Sequence, residues 1–243
     1  MKNIPSKWAR GQSPFKVMEV LKRARELERE GRRVIHFEVG EPDFPTASVI
    51  VEAAKRALDS GHTGYTEALG IPELRNAIAE DYRLRFGIDI DSRRIAVTSG
   101  ASGALNLLFA VLLNPGDKVL MSDPGYPCNE AFVRVVGGEP IRMPVDAHTG
   151  YQPTVEIVNE CWTEDTVGVL IATPSNPTGS MIQKEQLESI NDFVAERAAF
   201  VLVDEIYQGL SYENLPVTTA LSIADDVFVV NSFSKYFGMT GWR

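Results

Sequence analysis

Residues 167–179 read VGVLIATPSNPTG, and residues 199–207 read AFVLVDEIY. Each is an unbroken apolar run of strand length that ends in turn residues and polar side chains, and a helix-like segment, Lys184–Arg197, separates them. Apolar runs joined through a helix belong to parallel strands that are covered on both faces. Working outward, "KVLMSDPGYP" from Lys118 and "EPIRMPV" from Glu139 add two strands, with a helix expected at Asn129–Val136 between them. "DVFVVNSFSK", ending at Lys235, adds another. Upstream, "RIAVTSG" (94–100) and "VIHFEVG" (34–40) read as strands, and helices are expected over 15–31, Ala47–Asp59 and Ile71–Phe86. "ASGALNLLFAVLLNPGD" (101–117) is apolar nearly all round, so a fully buried helix is expected there. Strands alternating with helices define an α/β fold, a three-layer α/β/α sandwich with a mainly parallel sheet.

The net charge of −9 and the pI near 5.0 argue against general affinity for nucleic acid or an anionic membrane. The longest apolar run, Leu107–Leu113, is too short to cross a bilayer. Cys128 and Cys161 form no C-x-x-C pair and read as buried small apolar residues; the three histidines have no metal-ligand spacing, so no metal is expected. The N-terminus lacks the apolar core of a signal peptide, and a cytoplasmic location is expected.

In such sheets ligands gather outside the carboxyl ends of the strands. Ser99-Gly100, Asp123, Asn176, Asp204 and Lys235 stand at those exits. "SGASG" (99–103) is either a small-residue turn opening a helix or, through its backbone N–H groups, an anion cradle. Asp204, after four apolar residues, needs a partner if buried: a helix N-terminus, an arginine, or a protonated ring nitrogen. Tyr207 follows three residues on and could face the same ligand. Asn176 is turn chemistry or an amide donor toward a ligand oxygen. Lys235, just after a buried strand, is a surface cation or an imine-forming amine. Ser232, Ser234 and Arg243 could add phosphate contacts. A phosphate cradle, a ring-nitrogen anion, an oxygen donor, a phenol and an amine, in chain order at consecutive strand ends, describe a pyridoxal phosphate site.

The motifs "VGEPDF", "GYTEALGIPELRNAIA", "VTSGASGAL", "DPGYP", "PSNPTG", "VLVDEIY" and "SFSKYFGMTGWR" resemble, in order, those of the class I/II aminotransferases, the fold-type I pyridoxal phosphate enzymes. The S-x-S-K-x7-R pattern, Ser232 to Arg243, is the most specific of them. The resemblance implies that Lys235 carries the cofactor as a Schiff base and moves the substrate proton. It implies that Asp204 pairs with the ring nitrogen, that Asn176 and Tyr207 contact the ring oxygen, and that Tyr126 stacks on the ring. Gly100, Ala101, Ser102, Ser232 and Arg243 would hold the phosphate. Tyr65 would reach the phosphate of a neighbouring subunit, making a homodimer, and Gly40 would lie near the substrate carboxylate. The implied reaction is ping-pong transamination between an amino acid and a 2-oxo acid. A lyase on the same fold and a non-catalytic cofactor-binding fragment are the alternatives.

The resemblance further divides the chain into an N-terminal arm with part of a small domain (1–45) and a cofactor-binding large domain (46–243). Members of the family continue past "GWR" into one more strand of the large sheet and a C-terminal small domain with a carboxylate-binding arginine. The chain thus resembles a fragment of a longer product, with a gap in its sheet. It is expected to melt early or aggregate in isolation; a thermal melt matching that of a C-terminally extended form would contradict this.

Overall fold

The structure, a computed structural model, describes residues 7–10, 14–41, 44–212, 215 and 217–242. Helices α1 (Lys7–Arg10), α2 (Lys16–Arg29), α3 (Ser48–Asp59) and α4 (Pro72–Phe86) precede the sheet. Proline at the first position of α4 and Gly87 beyond its end, in the left-handed region at φ 70°, bound that helix. Then follow α5 (Gly100–Leu112), β1 (Lys118–Asp123), α6 (Cys128–Val135), β2 (Glu139–Pro144), α7 (Val155–Cys161), β3 (Thr166–Ala172), α8 (Lys184–Ala195), β4 (Phe200–Asp204) and β5 (Phe228–Val230).

All five strands are parallel, in the order β2-β1-β3-β4-β5. Their side chains alternate between two cores. Val119, Met121, Leu170, Leu202 and Val230 face one, with Leu105 and Phe109 of α5 and Val133 of α6. Leu120, Val169, Ile171, Val201 and Val203 face the other, with Val158 of α7 and Leu187, Ile190 and Val194 of α8. Each fully buried side chain of this kind contributes about 1.5–3 kcal/mol, so a strand that is apolar on both faces is held from both sides. The three-layer α/β/α sandwich expected from the sequence is what forms.

Several expectations fail. Residues 34–40 and 94–98 are not strands; the 94–98 segment makes local turn hydrogen bonds and one to a distant segment, from Val97 N to Leu69 O at 2.9 Å, rather than a ladder. Strand propensity forms a strand only where a neighbour supplies the pairing. The α5 helix is not buried all round: Leu105 and Phe109 enter the core, while Leu107 and Val111 stand in solvent. Both cysteines are free and half-buried rather than buried.

The strand order reverses between β1 and β3, the place where such sheets open a crevice at their carboxyl edge. A cavity of about 680 Å³ lies there, lined by Ser122 and Asp123 of β1, Ala172 of β3, Ser175 and Tyr126. The strand ends are level: Ala172 pairs with Asp204 and Asp204 with Val230. The turns after β3, β4 and β5 therefore leave the sheet on one edge. Phe109→Ala should lower stability by about 3–5 kcal/mol, whereas Leu107→Ala, one helical face away, should change it by less than about 0.5 kcal/mol. Denaturant unfolding of both variants checks which face of α5 the core holds.

Candidate active site

Strand β4 ends in two adjacent carboxylates that the fold treats differently. Glu205 is fully buried and well satisfied: Ala220 N–H donates to Oε1 at 2.7 Å and the Gln208 amide to Oε2 at 2.8 Å. Asp204 is only 7 % exposed, yet among the described residues its side chain's one hydrogen bond comes from Ile206 N–H to Oδ1, at 3.1 Å. No ion pair reaches Asp204 among the described residues. Burial pushes its carboxyl up to about 6, and burial likewise pushes Glu205 up to about 7. A buried carboxylate with a single neutral donor lacks a countercharge, and a cationic N–H would supply one.

Around Asp204 the turns bring four further side chains together. The Asn176 amide, in the turn after β3, donates to the Tyr207 phenol oxygen at 3.4 Å. Burial, and then the charge of Asp204, raise the Tyr207 phenol, while the Asn176 contact opposes them. Tyr126, in the turn after β1, is raised by burial first, then by Cys128, Tyr207 and Asp204. Its ring is held edge-on by Phe15, with centroids 6.0 Å apart. The Lys235 ammonium lies over the Tyr207 ring, 5.6 Å from its centroid. One carboxylate, two phenols, an amide and an amine thus converge from four strand exits.

Two further groups are suited to an anion. Helix α5 starts at Gly100, which adopts φ +72°, and its preceding residue Ser99 gives no side-chain cap. The first N–H groups of that helix, those of Ala101 and Ser102 among them, have no intrahelical acceptor and point out of its positive end. After β5, Ser232 and Ser234 form a tight turn: Ser232 Oγ–H donates to Ser234 Oγ at 2.9 Å and accepts from Ser234 N–H at 3.1 Å. Beyond Lys235 the chain turns back, with Gly238 N–H to Lys235 O at 3.1 Å and Thr240 Oγ–H to Ser234 O at 3.1 Å.

Of the residues singled out in the sequence, Asp204, Tyr207, Asn176, Tyr126 and Lys235 are drawn into one cluster by direct contacts or by their mutual electrostatics. Ser232 sits in the turn that leads to Lys235, and Gly100, Ala101 and Ser102 form the start of α5. Tyr65 is fully exposed and touches none of them. Gly40 is exposed, with nothing within 4 Å of where a Cβ would be. The chain soon after it docks on the lysine loop: Thr46 Oγ–H donates to Gly238 O at 2.5 Å and accepts from the Trp242 indole at 3.0 Å. Arg243 lies outside the described residues. Thr46 escapes a reading of the sequence because nothing local marks it, whereas Glu205, an acid directly after a buried strand, carries a signal that burial demands satisfaction. Among the described residues no group of three or more His, Cys, Asp or Glu side chains could hold a metal, and no helix is long and apolar enough to cross a membrane.

The sequence profile of aminotransferase class I and II matches residues 32–243, and the chain belongs to that family. Members of the family use pyridoxal phosphate. The chain is 38% identical over 234 residues to the valine–pyruvate aminotransferase of Mycobacterium tuberculosis, covering 96% of this chain and 60% of that one. It is 40% identical over 227 residues to the aspartate aminotransferase of Streptomyces avermitilis, covering 91% of this chain and 55% of the relative. The solved aspartate aminotransferase of Thermus thermophilus with maleate superposes with a TM-score of 0.94 at 34% identity, over 100% of this chain and 63% of that one. The chain thus spans 55–60% of the length of these two curated relatives.

The raised Asp204 carboxyl has a consequence for stability. A group whose folded value is higher than its unfolded one favours the fold when protonated, and that contribution is lost as pH rises from about 4 to about 6. Without ligand, Asp204→Asn should therefore be more stable than the parent at pH 8, with the gap closing toward pH 4.5. Thermal melts of both across that range check it; a gap independent of pH would show that Asp204 is not the group responsible.

Proposed function

We propose that this chain binds pyridoxal phosphate and transfers an amino group from an amino acid to a 2-oxo acid. The observation that carries this is the buried Asp204, without a countercharge among the described residues, facing the Asn176–Tyr207 pair below Lys235. The residues present fit the cofactor. Asp204 supplies the anion that a protonated pyridine nitrogen needs. Asn176 and Tyr207 offer an N–H and an O–H at a shared place, suited to a phenolate oxygen. Tyr126, braced by Phe15, offers a flat face to a ring. The start of α5 and the Ser232–Ser234 turn offer neutral donors to a phosphate, and Arg243 is assigned there by its place in the family motif.

When bound, pyridoxal phosphate supplies an electrophilic carbon for the amine and a ring that takes up electrons from the substrate's Cα. The chain's own residues then divide the work. The Asp204 carboxylate would hold a proton opposite it on the ring nitrogen, keeping the electron-withdrawing charge where it is needed. Tyr207 and Asn176 hold the ring oxygen and, through it, the tilt of the ring. Lys235, on a flexible four-carbon stem, takes and returns the proton at Cα, a task for which a mobile amine beside the reacting atom is suited. Gly40, by the resemblance, lies near the substrate carboxylate. Tyr65, fully exposed here, is assigned to the phosphate of a second subunit in a homodimer. Ping-pong kinetics follow, because one 2-oxo acid leaves before the next enters.

Reduction with borohydride in the presence of pyridoxal phosphate, followed by peptide mass mapping, should place one phosphopyridoxyl group on Lys235, and Lys235→Ala should lose it. Asp204→Ala should keep the label but lower turnover by at least about 100-fold, in line with the loss of a positioned catalytic proton. A label spread over several lysines, or none, would sink the assignment.

A further inference from the structure

Among the described residues Glu205 is the one fully buried acid that the proposed chemistry does not use, and its surroundings give it a different task. Both of its oxygens accept N–H donors, and it stands at the head of a chain of amides. The Gln208 side chain donates Nε2 to Glu205 Oε2 at 2.8 Å, and its Oε1 accepts from Asn231 Nδ2 at 3.4 Å. The same Asn231 amide donates to the Tyr82 phenol oxygen of α4 at 3.2 Å. Its Oδ1 accepts from Ser232 N–H at 2.7 Å. Ser232 then shares its hydroxyl with Ser234, directly before Lys235.

The order of donors along this chain is not free. A carboxylate only accepts, so Gln208 must turn its NH2 to Glu205 and its carbonyl to Asn231. Asn231 must then turn its NH2 to Gln208 and Tyr82, which leaves its carbonyl for Ser232 N–H. An anchor that also donated would reverse Gln208, set two donors or two acceptors face to face at Asn231, and release Ser232. The anchor itself cannot rotate away, because Ala220 N–H holds its other oxygen at 2.7 Å and Gln208 and Thr219 are almost fully buried. We infer that Glu205 is a positioning residue for the phosphate end of the site: through Gln208 and Asn231 it fixes the polarity of an amide relay that orients the Ser232–Ser234 turn. This rests on the proposed role of Ser232 as a phosphate contact.

The relay ends at the phosphate cradle and not at the ring, so its loss has a specific signature. Binding of pyridoxal phosphate and of pyridoxal, which lacks the phosphate, is measured on the 243-residue chain by quenching of tryptophan fluorescence. The ratio of the two affinities reports the cradle alone. Glu205→Gln should lower that ratio roughly tenfold, the scale of one hydrogen bond to a charged group, with pyridoxal affinity unchanged. The exchanged pair Glu205→Gln with Gln208→Glu restores an acceptor opposite Asn231 and should return the ratio to the parent value. Asn231→Ala, at an exposed position that leaves the core intact, should reproduce the Glu205→Gln loss and carries the test if the buried variants fail to fold by circular dichroism. An equal drop for both ligands, an unchanged ratio, or no recovery in the exchanged pair would overturn the inference. If the parent chain itself does not prefer the phosphorylated ligand, Ser232 is not part of a phosphate cradle, and the reading of the site falls together with this inference.

Discussion

Two neighbouring carboxylates end β4, and the difference in how the fold satisfies them organises the rest of the site. Glu205 takes a backbone N–H and a side-chain amide and is closed to anything else. Asp204 keeps a single backbone donor. A buried charge in that condition is costly unless a cation arrives, which is why burial holds its carboxyl near 6. The pair therefore splits one motif into a structural half and a half that waits for a ligand. Neither half works without the other: the closed half fixes the turn from which Tyr207 and Gln208 project, and the open half sets the chemistry that turn can support.

The parallel sheet is what makes such a division usable. Because Ala172, Asp204 and Val230 are in register, the turns that follow them leave on one edge at one height. Helices α5 and α6 cover one face and α7 and α8 the other, so that edge is where polar groups can meet a ligand. Each turn brings a different function: Asn176 from β3, Asp204 and Tyr207 from β4, Ser232 and Lys235 from β5, and Tyr126 from β1. The reversal of strand order between β1 and β3 opens the cavity beside them. Precision at the site comes from the ladder hydrogen bonds of the sheet rather than from the loops themselves.

Much of this was legible in the residues, and the exceptions have physical reasons. Four of the five strands that form are apolar runs built on Val, Leu, Ile or Phe with turn residues after them, a pattern that has few other stable placements, while β2, EPIRMP, buries only Pro140 and Met143. The segments at 34–40 and 94–98 have similar composition yet are not strands, because a strand is a pairing and composition does not say whether a neighbour is at hand. Helix α5 looked buried all round because its composition is apolar; Leu107 and Val111 show that a helix can be apolar on a face the core never reaches. The cluster residues were legible by type and order at the strand ends. The relay behind them was not: Tyr82 and Asn231 are separated by 149 residues, and Glu205 and Ala220 by 15, with no local pattern to join them.

A chain of net charge −9 that is to hold a phosphate poses an electrostatic problem, and the arrangement of the site resolves it by distance. Exposed carboxylates spread over the surface are screened within about 8–10 Å at physiological salt, so the global charge weakly opposes an anion at the sheet edge. The groups that decide are closer. The start of α5 and the serine turn after β5 offer neutral N–H and O–H donors, and at contact distance such a dipole outweighs a screened charge. The two nearest acids are kept from interfering by geometry: Glu205 is saturated by its own donors, and Asp204 faces the Asn176–Tyr207 side of the cluster. Neutral donors at the α5 start and the serine turn, together with the buried Asp204 carboxyl, would suit a molecule that carries both an anionic and a cationic group.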